Sequence, residues 1–284
     1  MGAFLLLGAQ APEVATPATI ASIIDHANAG DIIKLSPGDY APISIRDRRW
    51  VPQVQFDATS ATLRGVRLDA VSGLVWRGGT FQGGGAEDIG FRVSQSDHLS
   101  IDGAVFHRFS NVGIAISLTT DARVTNNRFS ESGSDGIDIA MSQRILVDHN
   151  SCTEFHPGSG AHADCIQLWS KQGFPSVANI TISHNVSIGE VAGFNGYDGP
   201  YDHLKIEYNI AHTMYYHGIS VFDCRNCIVR HNRVETIFNP QHPEVKAWIQ
   251  LIRGEGNTNC DNKSGDFPQL PGRQPCSKKQ DALQ

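Results

Sequence analysis

The chain lacks any apolar run of about 18 residues, the length that a membrane-spanning helix needs, so no such helix is predicted. It also lacks an excess of basic residues: the net charge is −6, and charged residues make up 18% of the chain. General nucleic-acid binding needs a basic face, and this composition argues against that function. An acidic polysaccharide is not excluded, because a single groove can differ in sign from the whole surface.

Cysteine is sparse, and 6 cysteines in 284 residues do not fix the redox state. Cys260 and Cys276 could close a loop near the C-terminus, which would suit an oxidising compartment. The segment Cys224-Arg-Asn-Cys227 is a lone C-x-x-C without a second pair, so it gives poor support to a zinc site. A local bridge or two inert thiols fits that segment better. Cys152 and Cys165 occupy apolar positions of the repeat described next and are predicted to lie in the core.

What the sequence does contain is a repeat. A short phrase occurs as Val124-Thr-Asn-Asn127, Val147-Asp-His-Asn150, Ile182-Ser-His-Asn185, Ile206-Glu-Tyr-Asn209 and Val229-Arg-His-Asn232. The final asparagines are 23, 35, 24 and 23 residues apart. A fixed period of this size indicates a solenoid, and the alternation of apolar residues within each unit indicates strands. The predicted fold is therefore an all-β parallel β-helix in one elongated domain.

The final asparagines are predicted to form one buried column. Successive coils stack at one strand spacing of about 4.8 Å, so their side-chain amides can bond to one another as a ladder. Asparagine also tolerates the left-handed conformation that a sharp turn needs. The preceding position forms a second column, and its three histidines suggest a metal site. The periodicity favours a stacked turn column instead. Its members are Asn126, His149, His184, Tyr208 and His231.

The N-terminal segment has features of an exported protein. Residues 1–11 contain a short apolar run and end in Ala9-Gln-Ala11, which has the form of a truncated secretory signal. A secreted or periplasmic location is therefore expected. Residues 12–45 are predicted to form a cap over the first coil, in which Thr16-Pro17 begins a helix and Gly30 ends it.

Coils are predicted for residues 46–256, with insertions at Thr153–Ala163 and Phe238–Ala247. Insertions in solenoids project on one face, which is often the binding face. The pattern stops beyond Gly254, so residues 257–284 are predicted to form a loop or tail.

The segment Ala18–Tyr40, ATIASIIDHANAGDIIKLSPGDY, followed by coils resembles the start of many secreted pectate-lyase-like proteins. This resemblance identifies a fold superfamily and not one enzyme. It implies a right-handed β-helix with an N-terminal helix cap and a carbohydrate-active protein. We expect a monomer whose partner is a polysaccharide or oligosaccharide.

Polar and aromatic side chains gather on one face of the predicted coils. The outward positions in register are Arg92, Ala115, Asp138, Gln167, Asn195, Ser220 and Gln250, followed by a second column of Ser94, Ser117, Ala140, Trp169 and Tyr197. Asp135, Asp164 and His217 precede their strands, His162 lies at the foot of the first insertion, and Lys171 and Arg253 follow their strands. Aromatic faces stack on sugars and amides bond to hydroxyl groups, which predicts a carbohydrate groove. The expected substrate-binding residues are Gln167, Trp169, Asn195, Tyr197 and Arg253.

Not every acidic residue on this face needs a functional role. Asp135 precedes a glycine, and such an aspartate often only forms an Asx turn. Asp164 precedes a cysteine and lies two residues after His162 at the foot of an insertion. That concentration of polar residues in a connecting segment favours a functional interpretation. His217 could equally be a turn residue, and Lys171 and Arg253 could be solvated surface residues.

The segments SDGIDI and ADCIQL resemble the active-site coils of polygalacturonase-type hydrolases, which carry Asp-Gly-x-Asp and then Asp-Asp-Cys. Asp135 and Asp164 match aspartates of those motifs, which implies a glycoside hydrolase that uses these two residues. Ala163, however, stands where the family has the first aspartate of its pair, its general acid. The His217-Gly218 pair comes one coil later than the family pattern, and Ile252-Arg-Gly254 replaces its Arg-x-Lys.

The second candidate chemistry is β-elimination on a uronic-acid-containing polysaccharide, as in pectate- and alginate-lyase-like β-helices. It needs a group that neutralises the substrate carboxylate and a base. Asp135, Asp138 and Asp164 could hold Ca²⁺ for the first task. The base could be Lys171, His162, His217 or Tyr197. The predicted catalytic set is therefore His162, Asp164, Lys171, His217 and Asp135.

Elimination is favoured over hydrolysis because it needs no carboxylic acid at the position of Ala163. Gln167 and Asn195 could also hold a substrate carboxylate as amides. A C5-epimerase would use nearly the same groups, and a non-catalytic carbohydrate-binding β-helix also fits the fold.

Overall fold

The computed structural model describes residues 12–84, 88–158, 162–265 and 275–277. The first sixteen strands and the helix α1 (Ile20–His26) are β1 (Glu13–Ala15), β2 (Ile32–Leu35), β3 (Gly38–Tyr40), β4 (Ile43–Asp57), β5 (Ala61–Leu63), β6 (Val66–Arg77), β7 (Thr80–Gln82), β8 (Ile89–Ser94), β9 (Asp97–Asp102), β10 (Val105–His107), β11 (Val112–Ser117), β12 (Thr120–Thr125), β13 (Arg128–Ser130), β14 (Asp135–Ala140), β15 (Gln143–Asp148) and β16 (Ser151–Thr153). The later strands are β17 (Asp164–Trp169), β18 (Val177–Ser183), β19 (Val186–Gly189), β20 (Ala192–Asp198), β21 (Tyr201–Asp202), β22 (Lys205–Glu207), β23 (Ile210–Thr213), β24 (His217–Arg225), β25 (Ile228–Arg230), β26 (Arg233–Thr236), β27 (Trp248–Glu255), β28 (Thr258–Cys260) and β29 (Lys263–Ser264).

These strands pair in parallel and form three faces. The first face contains β8, β11, β14, β17, β20, β24 and β27. The second contains β9, β12, β15, β18, β22, β25 and β28. The third is a ten-stranded sheet that runs from β3 to β29. The long strands β4 and β6 pair along both the first and the second faces. The predicted all-β parallel β-helix is confirmed.

The core consists of apolar columns that run along the solenoid. One column joins Ile114, Ile137, Ile166, Phe194, Ile219 and Ile249 in register, and all are 0% exposed. A second column stacks Phe81 on Phe106 and Phe106 on Phe129, with ring centroids 4.6 and 4.9 Å apart. Each side chain that is fully buried in this way contributes about 1.5–3 kcal/mol. The columns therefore fix the register of the outward residues as well.

Cys152 continues the phenylalanine column, since it pairs with Phe129 in the register. Both Cys152 and Cys165 are 0% exposed, which confirms their predicted place in the core. They are also joined by a disulfide, which the sequence did not indicate. Disulfides likewise join Cys224 to Cys227 and Cys260 to Cys276, so the described cysteines are all paired. The first of these bridges closes the insertion that ends at Ala163.

The asparagine side chains bond from coil to coil. The backbone N–H of Asn127 donates to Oδ1 of Asn150, 2.9 Å away, and the N–H of Asn150 donates to Oδ1 of Asn185, 2.8 Å away. The same bond continues through Asn209 and Asn232 to Asn262. Each Nδ2 in addition donates to the next Oδ1 and to a strand carbonyl, as Asn150 does to Val124. Buried amides are thus satisfied by their neighbours, which a single coil could not achieve.

The left-handed conformation expected for these asparagines belongs to the preceding column instead. Asn126, His149, His184, Tyr208 and His231 have φ values of 57°, 56°, 52°, 58° and 55°. The four rings stack face to face, with centroids 4.8, 5.3 and 4.8 Å apart along the column. This turn column agrees with the prediction of stacking and places the sharp turn one residue earlier.

Both ends of the solenoid differ from the predicted boundaries. Helix α1 begins at Ile20 rather than at Thr16-Pro17, because residues 16–19 form a separate turn in which Thr16 N–H donates to Thr19 Oγ1. It ends at His26, before Gly30, and buries Ile20 and Ile24. Strand β1 pairs with β2 and β2 pairs with β4, so coil pairing already begins inside the segment expected to be a cap.

At the other end, β28 and β29 extend the coils beyond residue 256, because Asn262 continues the asparagine bonds without the full phrase. The segment of residues 1–11, assigned to a secretory signal, lies outside the described residues. Within the described ranges no helix is long and apolar enough to cross a membrane.

Candidate active site

The outward column of the first face places the candidate residues in a row. Arg67, Arg92, Ala115, Asp138, Gln167, Asn195, Ser220 and Gln250 follow one another in register. From Arg92 onward this is the order that the sequence predicts. The second outward column also holds from Ser94 to Trp169.

A β-bulge changes the position of Tyr197. Leu168 pairs with Gly196, but the next residue, Trp169, pairs with Asp198, so Tyr197 has no partner in the register. The sequence placed Tyr197 beside Trp169 in the second column, and that placement is wrong. A bulge re-aims the extra side chain. Here the Tyr197 hydroxyl lies 3.5 Å from Oδ1 of Asp164.

Asp164 is the centre of the site, although it is 0% exposed. Its backbone N–H donates to Asp135 Oδ1 at 2.7 Å, and Asn195 Nδ2 donates to Asp164 Oδ1 at 2.5 Å. Its Oδ2 lies 3.0 Å from His162 Nδ1. This contact is an ion pair rather than an aligned hydrogen bond, since Oδ2 has no partner of hydrogen-bond geometry among the described residues. Asp138 Oδ1 and Asn195 Oδ1 are also buried without such a partner there. Three buried polar atoms without a hydrogen-bond partner among the described residues thus lie in one small region, which makes it the candidate site.

His162 lies in a cup of rings above Asp164. Its ring centroid is 5.8 Å from that of Tyr197, 5.7 Å from Tyr215 and 5.6 Å from His217. The His162 side chain is 41% exposed. The insertion that carries it is closed by the Cys152–Cys165 disulfide, next to Asp164. The structure therefore brings together four residues of the predicted site: His162, Asp164, Tyr197 and His217.

His217 is held in place by contacts with Ser220 and Trp248. Its Nδ1 lies 3.0 Å from Ser220 Oγ, and the Trp248 indole N–H donates to the same hydroxyl at 2.9 Å. Trp248 also packs edge-on against His217, with ring centroids 5.4 Å apart. Sequence reasoning missed Tyr215 and Trp248 as site residues. Their signal was present, since Tyr215 stands two residues before His217 and Trp248 takes the strand-entrance position one coil later.

Burial and charge shift the pKa values of the acidic groups. Burial, followed by the charge of Asp164, raises the pKa of Asp135 to about 7. Burial, followed by the charges of Asp135 and Asp164, raises the pKa of Asp138 well above its usual value. Burial and the nearby Asp164 also raise the pKa of the Tyr197 phenol. These groups therefore retain protons at a pH where exposed carboxyls would have lost them.

The two imidazoles are shifted in opposite directions. The close contact with Asp164 raises the pKa of His162 above 6.5. Burial, followed by the charge of His162, lowers the pKa of His217 below 6.5. His162 therefore keeps its proton to a higher pH than His217 does. Titratable neighbours whose pKa values are pushed apart are the usual signature of an acid and a base.

Four other predicted residues lie apart from this cluster: Lys171, Trp169, Arg253 and Gln167. Lys171 is exposed over the Phe174 ring, 5.2 Å from its centroid, and lines a cavity of about 490 Å³ with Asp138 and Trp169. Arg253 makes a two-pronged pair with Asp223 at 2.6 and 2.7 Å, so its charge is already matched. Gln167 is half-buried in the outward column.

Substrate binding by Asn195 stays a prediction. This residue is 1% exposed, and its amide nitrogen is bonded to Asp164, so contact with a substrate would need the side chain to move.

The three aspartates expected to hold Ca²⁺ do not gather their oxygens. In the described parts of the chain, two groups of ligand atoms lie within 4.8 Å of one another, and neither contains Asp135, Asp138 or Asp164. One group is Asp148 with His149 and His184 in the turn column. The other includes Cys276, which is in a disulfide. Binding of Ca²⁺ by the three aspartates stays a prediction and would need their side chains to move together.

Comparisons with known proteins bear on the fold. Residues 89–262 match the family model described as the right handed beta helix region. None of the curated proteins matches the chain. Among solved structures, the alginate lyase from Paenibacillus sp. str. FPU-7 aligns with 88% of this chain and 94% of its own, at 13% identity and a TM-score of 0.60. The endo-xylogalacturonan hydrolase from Aspergillus tubingensis aligns with 93% and 98%, at 14% identity and 0.56. The polygalacturonase from Erwinia carotovora ssp. carotovora aligns with 90% and 81%, at 12% identity and 0.53. At these identities the likeness concerns the fold alone.

Proposed function

This chain belongs to the right-handed β-helix family, and we propose that it is a carbohydrate-active enzyme that cleaves a uronic-acid-containing polysaccharide by β-elimination. The observation that carries the proposal is the burial of Asp164, which is 0% exposed, beneath His162, whose side chain is 41% exposed. A carboxyl group without exposure cannot contact a sugar, whereas the imidazole above it can. The reacting groups are therefore imidazole and phenol, which suit proton transfer at carbon.

The exposed His162 and the half-buried His217 and Tyr197 take the three roles of an elimination. His217, neutral because its pKa is lowered, removes the C5 proton next to the uronate carboxylate. The His162 imidazolium neutralises that carboxylate and so stabilises the charge that develops on it. The electrons of the C5–H bond form the C4–C5 double bond, and the C4–O bond breaks. Tyr197, whose raised pKa keeps it protonated, gives its proton to the departing oxygen.

Asp164 positions His162 in this scheme. An acidic group against Nδ1 fixes the ring orientation and leaves Nε2 free to face the substrate. Asn195 and the backbone contact with Asp135 hold Asp164 in turn. The fold shared with a solved alginate lyase is compatible with this chemistry.

A specific observation favours a second candidate, a glycoside hydrolase. The pKa of Asp135 is raised to about 7, which would suit a general acid, and Asp164 adjoins it. Both aspartates are less than 10% exposed, and Ala163, in the position of the missing acid, is 0% exposed. Two reacting carboxyls have to flank the bond that they cleave. The burial of this pair makes elimination the better-supported function.

The enzyme is also proposed to act outside the cytoplasm. All the described cysteines are in disulfides, and such bonds persist in oxidising compartments.

The test is incubation with alginate, polygalacturonate and neutral polysaccharides, with two readouts. Elimination gives new reducing ends together with the ultraviolet absorbance of an unsaturated uronide. Hydrolysis gives reducing ends without that absorbance and would favour the Asp135–Asp164 hydrolase. His162→Ala is the control for contaminating activity, and product formation at the same rate by this variant would remove His162 from the mechanism.

A further inference from the structure

Four arginines line a cleft on the N-terminal coils, away from the reacting groups. Arg46 lies on β4, Arg64 precedes β6, Arg67 lies on β6 and Arg92 lies on β8. The cleft they line has a volume of about 600 Å³. These four residues are called the arginine cleft. Nothing in the repeat pattern requires them, since the outward column continues with neutral and acidic residues from Ala115 onward.

Among the described residues, no carboxylate forms an ion pair with an arginine of the cleft. Six other arginines of the described chain pair with a carboxylate: Arg48, Arg108, Arg144, Arg230, Arg233 and Arg253. No ion pair of this kind joins any of the four cleft arginines to another described residue, even though Asp69 stands opposite Arg46 in the register. Asp88 also lines the cleft, but it is 8% exposed and accepts the backbone N–H groups of Gly84 and Ser110.

Two of the arginines repel each other in the free protein. Arg67 and Arg92 are direct partners on the adjacent strands β6 and β8, and both side chains point outward. Like charges opposite each other on neighbouring strands are destabilising. Although the chain has a net charge of −6, no carboxylate of the described residues forms an ion pair with either arginine. An anionic ligand would remove the repulsion.

The arginine cleft adjoins a second cavity that reaches Asp138, on the coil next to that of Asp164. Arg92 also lines the second cavity, of about 490 Å³, whose far end is formed by Asp138, Trp169 and Lys171. Three strand spacings, about 14 Å, separate Arg67 from Asp138 along the outward column. Asp164 lies on the next coil, β17. One extended molecule can therefore contact the arginines and the reacting groups together.

We propose that the arginine cleft binds carboxylate groups of an acidic polysaccharide at a distance from the cleavage point. The inference rests on the proposed function for the identity of the polymer. Guanidinium groups form two parallel bonds to a carboxylate, which gives both charge and orientation. A neutral sugar chain would leave the four charges unmatched. On an acidic protein, a local positive strip is also what allows a polyanion to approach.

The experiment measures binding without turnover. The enzyme carrying His162→Ala is titrated with alginate and with polygalacturonate by calorimetry at low salt, and dextran serves as the neutral polymer. We expect one of the acidic polymers to bind and dextran not to bind. Adding Arg67→Gln and Arg92→Gln should weaken that binding at least about tenfold. Raising the salt concentration should weaken it in the parent and have less effect in the arginine variant.

Arg128→Gln is the matched control. This arginine is exposed on β13 of the third face, so its loss removes one positive charge from the other side of the solenoid and is compared with Arg67→Gln and Arg92→Gln taken singly. Equal weakening by Arg128→Gln, or binding unaffected by the Arg67 and Arg92 changes, would overturn the proposal, as would a lack of binding to both acidic polymers. The result is separable from the proposed function. Arginine-dependent binding by an enzyme that forms no unsaturated product would keep this inference and remove the lyase.

Discussion

Two regions of the molecule place histidines beside an aspartate, and they differ in every physical respect. In the turn column, His149 and His184 both direct Nδ1 to Asp148, at 2.6 and 3.0 Å, and their rings stack face to face. In the reaction centre, His162 faces the wholly buried Asp164 and meets His217 edge-on, with centroids 5.6 Å apart. Stacked rings recur along the turn column, whereas the edge-on arrangement beside a buried aspartate occurs once among the described residues.

The difference comes from departures from the repeat. His162 arrives on an insertion, Tyr197 is re-aimed by a bulge, and the register shifts between His217 and Ile219. Regular coils can only place like groups above like groups, and that produces stacking. Converging groups need chain that leaves the register. We therefore expect histidines within the repeat to be structural and histidines at its irregularities to carry the proposed chemistry.

The sharpest way to break this comparison is to remove one histidine from each region. His162→Ala should lower the rate of unsaturated product formation by about 10²–10³-fold, the usual loss when a group that stabilises developing negative charge is removed. Its melting temperature should hardly change, since the side chain is 41% exposed. His184→Asn should leave the rate unchanged, because asparagine tolerates the left-handed backbone at φ 52°. Equal losses in both variants would contradict the distinction.

The free energy of unfolding should respond in the opposite way to the rate: it should fall when a residue of the repeat is changed. Asn150→Ala leaves buried amides of the neighbouring coils without partners, at about 1–3 kcal/mol for each group. We expect the free energy of unfolding to fall by about 3 kcal/mol in urea denaturation, with normal turnover per folded molecule. His149→Asn, one residue earlier in the same turn, is the control and should change stability little. A stable Asn150→Ala protein would mean that the coil-to-coil amides do not support the fold.

The pH profile tests the pairing of His162 with Asp164. The active form needs neutral His217 and protonated His162, so the rate should fall on the acid side with the lowered pKa of His217 and on the alkaline side with the raised pKa of His162. Asp164→Asn removes the group that raises the pKa of His162, so the alkaline limb should move to lower pH. Asp148→Asn, beside the turn column, should leave the profile in place. An alkaline limb that does not move would show that Asp164 does not set the charge of His162.

Of these tests, removal of divalent cations by chelation should change the rate of product formation least. In the proposed mechanism the His162 imidazolium neutralises the substrate carboxylate, so EDTA should leave the rate nearly unchanged. The alternative prediction, Ca²⁺ held by Asp135, Asp138 and Asp164, requires that EDTA abolish turnover and that added Ca²⁺ restore it. Measuring the rate of formation of the unsaturated product in both conditions decides between them.

The sequence was informative where the molecule is periodic. The asparagine phrase located Asn150 and its equivalents, and the alternation located Ile137 and the outward column that contains Asp138. Asp164 and His162 were found because they stand at the foot of an insertion. In each case the register of the coil determines where the side chain lies.

Other features depend on geometry that a period does not contain. The bulge that moves Tyr197 and the ring of Tyr215 over His162 arise from packing between coils. The Cys152–Cys165 disulfide depends on how an insertion returns to the sheet. Arg46, Arg64 and Arg67 lie in early coils that lack the recurring phrase, so no register was available to bring them together.

The stacking of one coil on another affects how such an enzyme can be altered. Each coil contacts only its immediate neighbours, so a change in one coil is felt about one strand spacing away and no further. The arginine cleft and the reacting histidines occupy different coils, with the coil of Ala115 between them and that of Asp138 adjoining the site. If both proposals hold, grafting or duplicating an N-terminal coil should change which polymer is held while the chemistry stays intact. Affinity and reactivity would then be exchangeable as separate modules, by recombination in nature or by design.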